Sequence, residues 1–270
     1  MIRQGWRTAV RLAVLMVLAG LSLQLYFLGR IAVMAVIDPQ STSFQRSEMA
    51  RLLREEGRIL WAQEWRDYDE LGTAIKRAVI ASEDAGFVDH DGVEWDALEN
   101  AWERNSRAKA RLEAQQQRAM ERHQRAVERA RKRGRPLPEP PTVLDSAPKV
   151  IGGSTITQQL AKNLFLSGER NFVRKGQEFV LTFMLEGVLS KERILEIYLN
   201  NVEWGEGVFG AEAAAHHYFH TDAQRLGAWQ AARLAVMLPA PKRFEKNPRS
   251  GYVSGRAGTI AARMRSAELP

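Results

Sequence analysis

Residues 152–163, Gly152-Gly153-Ser154-Thr155-Ile156-Thr157-Gln158-Gln159-Leu160-Ala161-Lys162-Asn163, form the chain's most telling set of groups able to hold a polar ligand. Two glycines free the backbone for a tight turn, and Ser154 or Thr155 is then placed to cap a helix. Beyond the cap, Thr155, Gln158, Gln159, Lys162 and Asn163 recur at three- and four-residue spacing. Most therefore share one helical face, with Ile156, Leu160 and Leu164 on another. A helix start that carries amides, a hydroxyl and one ammonium suits a phosphorylated or sugar-like ligand. The turn alone fits a capped surface helix; the whole run does not.

A second segment, Glu83-Asp84-Ala85-Gly86-Phe87-Val88-Asp89-His90-Asp91-Gly92, lies about seventy residues upstream. Three more follow in order: Arg174-Lys175-Gly176-Gln177-Glu178, then Lys191-Glu192-Arg193-Ile194-Leu195-Glu196-Ile197-Tyr198-Leu199-Asn200, then Arg233-Leu234-Ala235-Val236-Met237-Leu238-Pro239-Ala240-Pro241. Taken together, the five segments resemble the motifs of the family 51 peptidoglycan glycosyltransferases, which polymerise lipid II into glycan strands. The chain ends soon after the fifth motif, so the resemblance is to the monofunctional biosynthetic members, which lack a penicillin-binding domain.

That resemblance implies an inverting hexosyl transfer. The 4-hydroxyl of one lipid-linked disaccharide attacks the anomeric carbon of another, and undecaprenyl pyrophosphate leaves. An alcohol needs a positioned base, and Glu83 matches the family's base. Partial burial and a helix C-terminus would both raise its pKa toward the working range. A lone Glu-Asp pair is ordinarily a solvated surface feature; Phe87, His90 and Gly92 in register lift Glu83 above that. Asp84 and His90 are expected to hold the loop. Lys162, Arg174 and Lys175 would stabilise the departing pyrophosphate, with helix-start amides near Ser154 and Thr155 adding donors. Glu178 is implied as the second carboxylate, positioning the donor sugar or phosphate. Gln158, Gln159 and Asn163 would bond sugar, lactoyl or peptide groups. Arg174 and Glu178 could also be a simple i,i+4 pair, but Arg before Glu is the weaker order. Glu196, Asn200 and Arg233 are read as architectural.

No cofactor is evident. A divalent cation such as Mg²⁺ at the pyrophosphate is chemically reasonable, although the sequence has no dedicated cage for one. His216, His217 and His220 lack a zinc-type carboxylate motif and read as polar surface, so no metal ligand is assigned. With no cysteine, disulfides and thiolate metal sites are excluded.

The elements that must position these groups are mostly helical. Leu12 to Gly29 is an uncharged run of eighteen residues, extended past Arg30 by Ile31 to Ile37. It suffices to cross a hydrocarbon core of ~30 Å. Arg3, Arg7 and Arg11 precede it without an acidic residue, which places the N-terminus in the cytoplasm and the rest outside. Asp38-Pro39 is a poor signal-peptide cleavage site, so an uncleaved anchor is favoured. Residues 1–37 thus read as cytoplasmic N-terminus and transmembrane anchor, and 38–270 as the glycosyltransferase domain. Within it, helices are expected over Ser47 to Glu56 (Met49, Leu52 and Leu53 inward), Thr73 to Ser82, Trp95 to Asn105, Thr155 to Leu166, Val173 to Leu189, Lys191 to Asn200, Ala211 to Tyr218 and Ala228 to Leu238. Leu181, Met184, Leu185 and Val188 make an apolar face on the fifth of these. Strand is nearly absent, which argues an all-α core, and the resemblance implies a lysozyme-like fold.

The formal charge is +7, yet residues 103–135 alone balance at +8, so the remainder sums to −1. This basic insertion, about 105–149, reads either as an exposed helical arm ended by Gly134 and a proline-rich tether or as filler with little fixed structure. The overall expectation is an inner-membrane, single-pass enzyme of cell wall biogenesis with a periplasmic catalytic domain. Its partners would be lipid II, the growing lipid-linked strand, the membrane and cell-wall synthesis proteins, with no nucleic acid. The alternatives are a lysozyme-like glycan hydrolase and a non-catalytic membrane-anchored scaffold.

Overall fold

The computed structural model describes residues 2–139, 152–166 and 171–270. Two compact units emerge, Met1–Val93 with Ser154–Pro270, and Glu94–Gly153. In chain order the helices are α1 (Ile2–Met34), α2 (Ser43–Glu55), α3 (Thr73–Glu83), α4 (Trp95–Lys132), α5 (Ile156–Phe165), α6 (Phe172–Val188) and α7 (Lys191–Asn201). A short antiparallel pair follows, β1 (Glu203–Gly205) and β2 (Val208–Phe209), then α8 (Ala211–Phe219), α9 (Ala228–Met237), α10 (Pro241–Phe244) and α11 (Gly251–Arg263). The mainly helical expectation holds. Residues around Ala62 run extended beside β2, with Ala62 N–H donating to the Gly207 carbonyl at 2.8 Å.

Local sequence explains where the helices begin. Thr42 and Gln45 form a capping box at α2, and Thr155 with Gln158 form another at α5. Asn171 and Ser190 cap α6 and α7 through their side-chain oxygens. The Thr42 cap moves the start of α2 four residues ahead of the expected Ser47. Leu52 then points inward while Leu53 is exposed, correcting its assignment to the core. On α6, Leu181 and Leu185 are buried, but Val188 lies at the surface.

Helix α7 is the centre of the larger unit: every residue from Ile194 to Asn201 is buried. Burial of polar groups there is possible because each is bonded. Asn200 accepts the Arg66 N–H at 2.8 Å and donates to the Arg66 and Glu196 carbonyls, so its amide pins the 62–66 segment to the helix. Trp204, fully buried, donates its indole N–H to the Leu234 carbonyl at 3.0 Å. Around this core α3 packs on α9, α9 on α11, and α5 on α6.

The apolar stretch Trp6–Met34, 29 residues, is long enough to cross a membrane. Its outer end is docked on the larger unit. Gln24 and Gln177 exchange amide hydrogen bonds at 2.8 and 3.0 Å, which accounts for a polar residue in this helix. Phe27 meets Phe165 edge-on at 5.4 Å, and Ile31 and Met34 are buried. Arg193 of α7 then clamps the helix end, donating to the Met34 carbonyl and to Asp38 while pairing with Glu196.

In the second unit α4 runs unbroken from Trp95 to Lys132, well past the expected stop at Asn105, with Ala101 its only buried residue. Of the two readings of the basic insertion, residues 105–132 therefore take the helical one. Pro140, Pro141 and the tether up to Ile151 lie outside the described residues.

One buried carboxyl has a consequence for stability. Glu203 of β1 lies near Lys242 of α10 and Glu48 of α2. Burial pushes its pKa up to about 7; Lys242 opposes the rise and Glu48 adds to it. An unfolded chain would hold it near 4.5, so the folded state binds this proton more tightly. Its contribution to stability is full below the unfolded value and is lost as pH rises through about 7. Glu203→Gln is therefore expected to stabilise the protein near pH 8 by on the order of 1–2 kcal/mol. Thermal unfolding should show that gain vanish in mildly acidic buffer.

Candidate active site

Helix α3 ends on Glu83, and the next residue ties that end to the start of α5. Asp84, buried, accepts the Ile156 N–H at 2.9 Å through one oxygen and meets His90 Nε2 at 2.8 Å through the other. Ile156 is the first residue of α5, where an N–H lacks a helical partner and a carboxylate is favoured. The Gly92 N–H donates to His90 Nδ1 at 3.1 Å, so a neutral His90 carries its proton on Nε2, toward Asp84. That hydrogen bond raises the His90 pKa. The loop closes where Thr155 donates its hydroxyl to the Gly92 carbonyl at 2.6 Å. Gly92 is required here: its φ is +87°, and a Cβ would lie 2.7 Å from Thr182 Cγ2. Lys191 adds a further tie, donating to the His90 carbonyl and to Glu186.

Glu83 itself is mostly enclosed. Gln159 Nε2 donates to one of its oxygens at 3.1 Å and Ser82 Oγ to the other at 3.3 Å. Burial raises the Glu83 pKa, the two hydrogen bonds oppose the rise, and the Asp84 charge adds to it. Behind Gln159 stands Tyr198, fully buried, whose hydroxyl donates to Gln159 Oε1 at 3.0 Å.

One turn along α5, Lys162 faces a second cluster. Glu178 of α6 is buried at 4 % exposure and holds two cations of its own helix, Lys175 and, at 3.3 Å, Arg174. Lys162 is open to solvent at its surface, yet its ammonium stands among protein atoms. Desolvation lowers its pKa, Glu178 opposes this, and Arg174 and Lys175 reinforce it. The Arg174 Nε is buried and finds no partner among the described residues. Three cations around one buried carboxylate cost desolvation that an i,i+4 pair does not recover. Such an arrangement leaves positive charge in excess of what Glu178 neutralises.

The transglycosylase family profile matches residues 52–119 and 142–265, which contain all five sequence motifs. The chain belongs to the transglycosylase family. Residues 120–141, unmatched, begin within the basic stretch of α4. Among its relatives, the biosynthetic peptidoglycan transglycosylase of Bordetella pertussis is 47% identical over 263 residues, 97% of this chain and 94% of that protein. The protein of the same name from Paraburkholderia phytofirmans is 46% identical over 98% of this chain and 94% of its own length. Its counterpart in Burkholderia thailandensis is 48% identical over 93% and 84%.

The candidate residues divide into four groups. Glu83 and Gln159 form one cluster, and Lys162, Arg174, Lys175 and Glu178 form another. Ser154 and Asn163 lie half-buried on the same α5 segment. Thr155 and Gln158 are buried and form the α5 cap, Thr155 through its hydroxyl and Gln158 through Oε1, while the buried Gln158 Nε2 finds no partner among the described residues. Gln159 is corrected, since its amide is engaged at both ends by Glu83 and Tyr198. Tyr198 was missed because it falls on the apolar face of its motif. The available signal was that a buried phenol must find a partner for its hydroxyl.

Among the described residues, the two glutamates of the site are already engaged. Glu178 is taken by two cations and Glu83 by two hydrogen-bond donors. Among the described residues the one cluster with suitably close ligand atoms is Glu64, Glu212 and His216. Carboxylates thus do accompany His216, but the Arg66 guanidinium already bridges Glu64 and Glu212.

Asp84→Ala removes both anchors of the α3–α5 junction and leaves the Ile156 N–H unbonded. It is expected to cost about 2–3 kcal/mol of stability and to lower activity with it. Thermal unfolding compared with that of Asp89→Ala, an exposed neighbour, checks the assignment.

Proposed function

We propose that this chain is a membrane-anchored peptidoglycan glycosyltransferase that polymerises lipid II, with Glu83 as general base. The observation that carries the reading is the division of labour along α5. Its first turn holds a buried carboxylate of raised pKa, and its second turn faces a cluster of three cations. Glu83 takes the proton of the acceptor 4-hydroxyl as that oxygen bonds to the donor's anomeric carbon. The bond from that carbon to the pyrophosphate oxygen breaks, and undecaprenyl pyrophosphate departs with the electron pair. Configuration at the carbon inverts. Lys162, Arg174 and Lys175 meet the charge that grows on the leaving group, and Glu178 holds the latter two in place. Ser154 and Asn163 border the same segment and would contact the sugar or its lactoyl and peptide substituents. A hydrolase expelling a neutral sugar would have no use for these cations. A Mg²⁺ ion at the pyrophosphate would draw its ligands from substrate and water, and no step here depends on it.

Glu83→Gln keeps size and hydrogen bonding but removes the base. It should reduce lipid II polymerisation by ~10²–10⁴ with little change in substrate binding. Near-parental turnover would exclude Glu83 as the base. Lys162→Ala and Arg174→Ala should raise KM and lower kcat together, because each meets charge present before and during bond breaking.

The apolar helix α1 is consistent with a single-pass anchor. The N-terminal arginines place the start of the chain in the cytoplasm and the catalytic unit beyond the inner membrane, in the periplasm, where lipid II and other cell-wall synthesis proteins would meet it. A reporter active only outside the cytoplasm should work when fused at Pro270. Activity of a cytoplasmic reporter at that position instead would reverse the orientation.

A further inference from the structure

We propose that Tyr198 is a positioning residue for the transfer reaction: through Gln159 it fixes which end of an amide faces Glu83. The inference rests on Glu83 being the base. The two bonds form one line, Tyr198 hydroxyl to Gln159 Oε1 at 3.0 Å and Gln159 Nε2 to Glu83 at 3.1 Å. The amide's orientation follows from chemistry. Its nitrogen end faces two acceptors, the Glu83 carboxylate and the Ser154 carbonyl at 3.5 Å, and an oxygen there would meet both unfavourably. The oxygen end then faces Tyr198, which is left to donate. Tyr198 is wholly enclosed by α7 packing, so no water can replace its hydroxyl without opening the core.

The relay matters because an amide serves either protonation state of a carboxyl. Its N–H₂ end stabilises the carboxylate, and its oxygen end would stabilise the protonated acid. With Tyr198 donating to the oxygen, only the first choice is open. Burial drives the Glu83 pKa upward, and the held amide limits that rise. Among the other described groups around Glu83, the Ser82 hydroxyl also opposes the rise but is not held to that acceptor alone. Ser82 shares its hydroxyl with the Ala235 carbonyl of α9, and Asp84, paired with His90, pushes the other way. Tyr198 is the remaining titratable group, held protonated by its own burial and by the charges of Glu83 and Asp84. The cations of the second cluster act on Glu178.

Tyr198→Phe keeps the ring and removes the hydroxyl. Freed, the Gln159 amide can turn its oxygen toward a protonated Glu83. The acid limb of kcat/KM for lipid II polymerisation should then move up by about half to one pH unit. Rates should converge with the parent's at alkaline pH, and KM and the thermal midpoint should change little. Gln159→Met should move the limb similarly, and adding Tyr198→Phe to it should move it no further. An unmoved limb in folded Tyr198→Phe, or additive shifts in the double variant, overturns the proposal. If Tyr198→Phe does not fold, 3-fluorotyrosine placed at position 198 decides. Its stronger donor hydroxyl should shift the limb to lower pH, and an unmoved limb overturns the proposal. Full activity of Glu83→Gln would instead remove the base assignment itself, whatever Tyr198 does.

Discussion

The Asp84 carboxylate is the contact on which the geometry of the site depends. It binds a helix-start N–H of α5 with one oxygen and His90 with the other, from a position directly after Glu83. The end of α3 and the start of α5 are thereby held at a fixed separation, and the base and its amide partner come with them. Everything else in the first cluster is arranged around that junction. Gly92 folds the loop back at a backbone angle that excludes a Cβ, Thr155 closes it, and Lys191 supports it from α7. The polarity is physically apt, because a carboxylate at a helix N-terminus is stabilised by the same N–H groups that it satisfies.

The two glutamates of the site differ in environment, and the difference separates their roles. Glu83 is enclosed by neutral donors, so burial raises its pKa. Glu178 is enclosed by cations and remains an ion-pair partner. In the proposed reaction one carboxylate accepts a proton and the other holds positive charge beside the departing pyrophosphate. Helix α5 joins the two environments within a single turn, since Gln159 and Lys162 are three residues apart on it. Shifting α5 would disturb both clusters at once. That dependence accounts for the two interlocked caps, Thr155–Gln158 and Asp84–Ile156, at its first turn.

The anchor is part of the same framework. Gln24 pairs with Gln177, the neighbour of Glu178, and Phe27 lies against Phe165 at the end of α5. Arg193 holds the chain where α1 ends. The two helices that carry the cationic cluster are thus braced by the apolar helix, which keeps their charges at a set distance from its end.

Much of this molecule was determined by sequence alone. Helix starts, the apolar anchor and the five motifs are local patterns, legible because capping, periodicity and hydropathy act over a few neighbouring residues. The supporting role of Asp84, His90 and Asn200 was legible for that reason, as was the placing of Glu83 at a helix end and of Glu178 beside Arg174 on one helix. The polar face of α5 was read too generously: spacing showed that its side chains could share a face but not which would turn inward. The tertiary structure decided that the Gln159 amide meets Glu83 and that Tyr198 stands behind it. These choices rest on contacts between residues 39 to 76 positions apart. No local pattern encodes such a contact; it exists only once α3, α5 and α7 are packed.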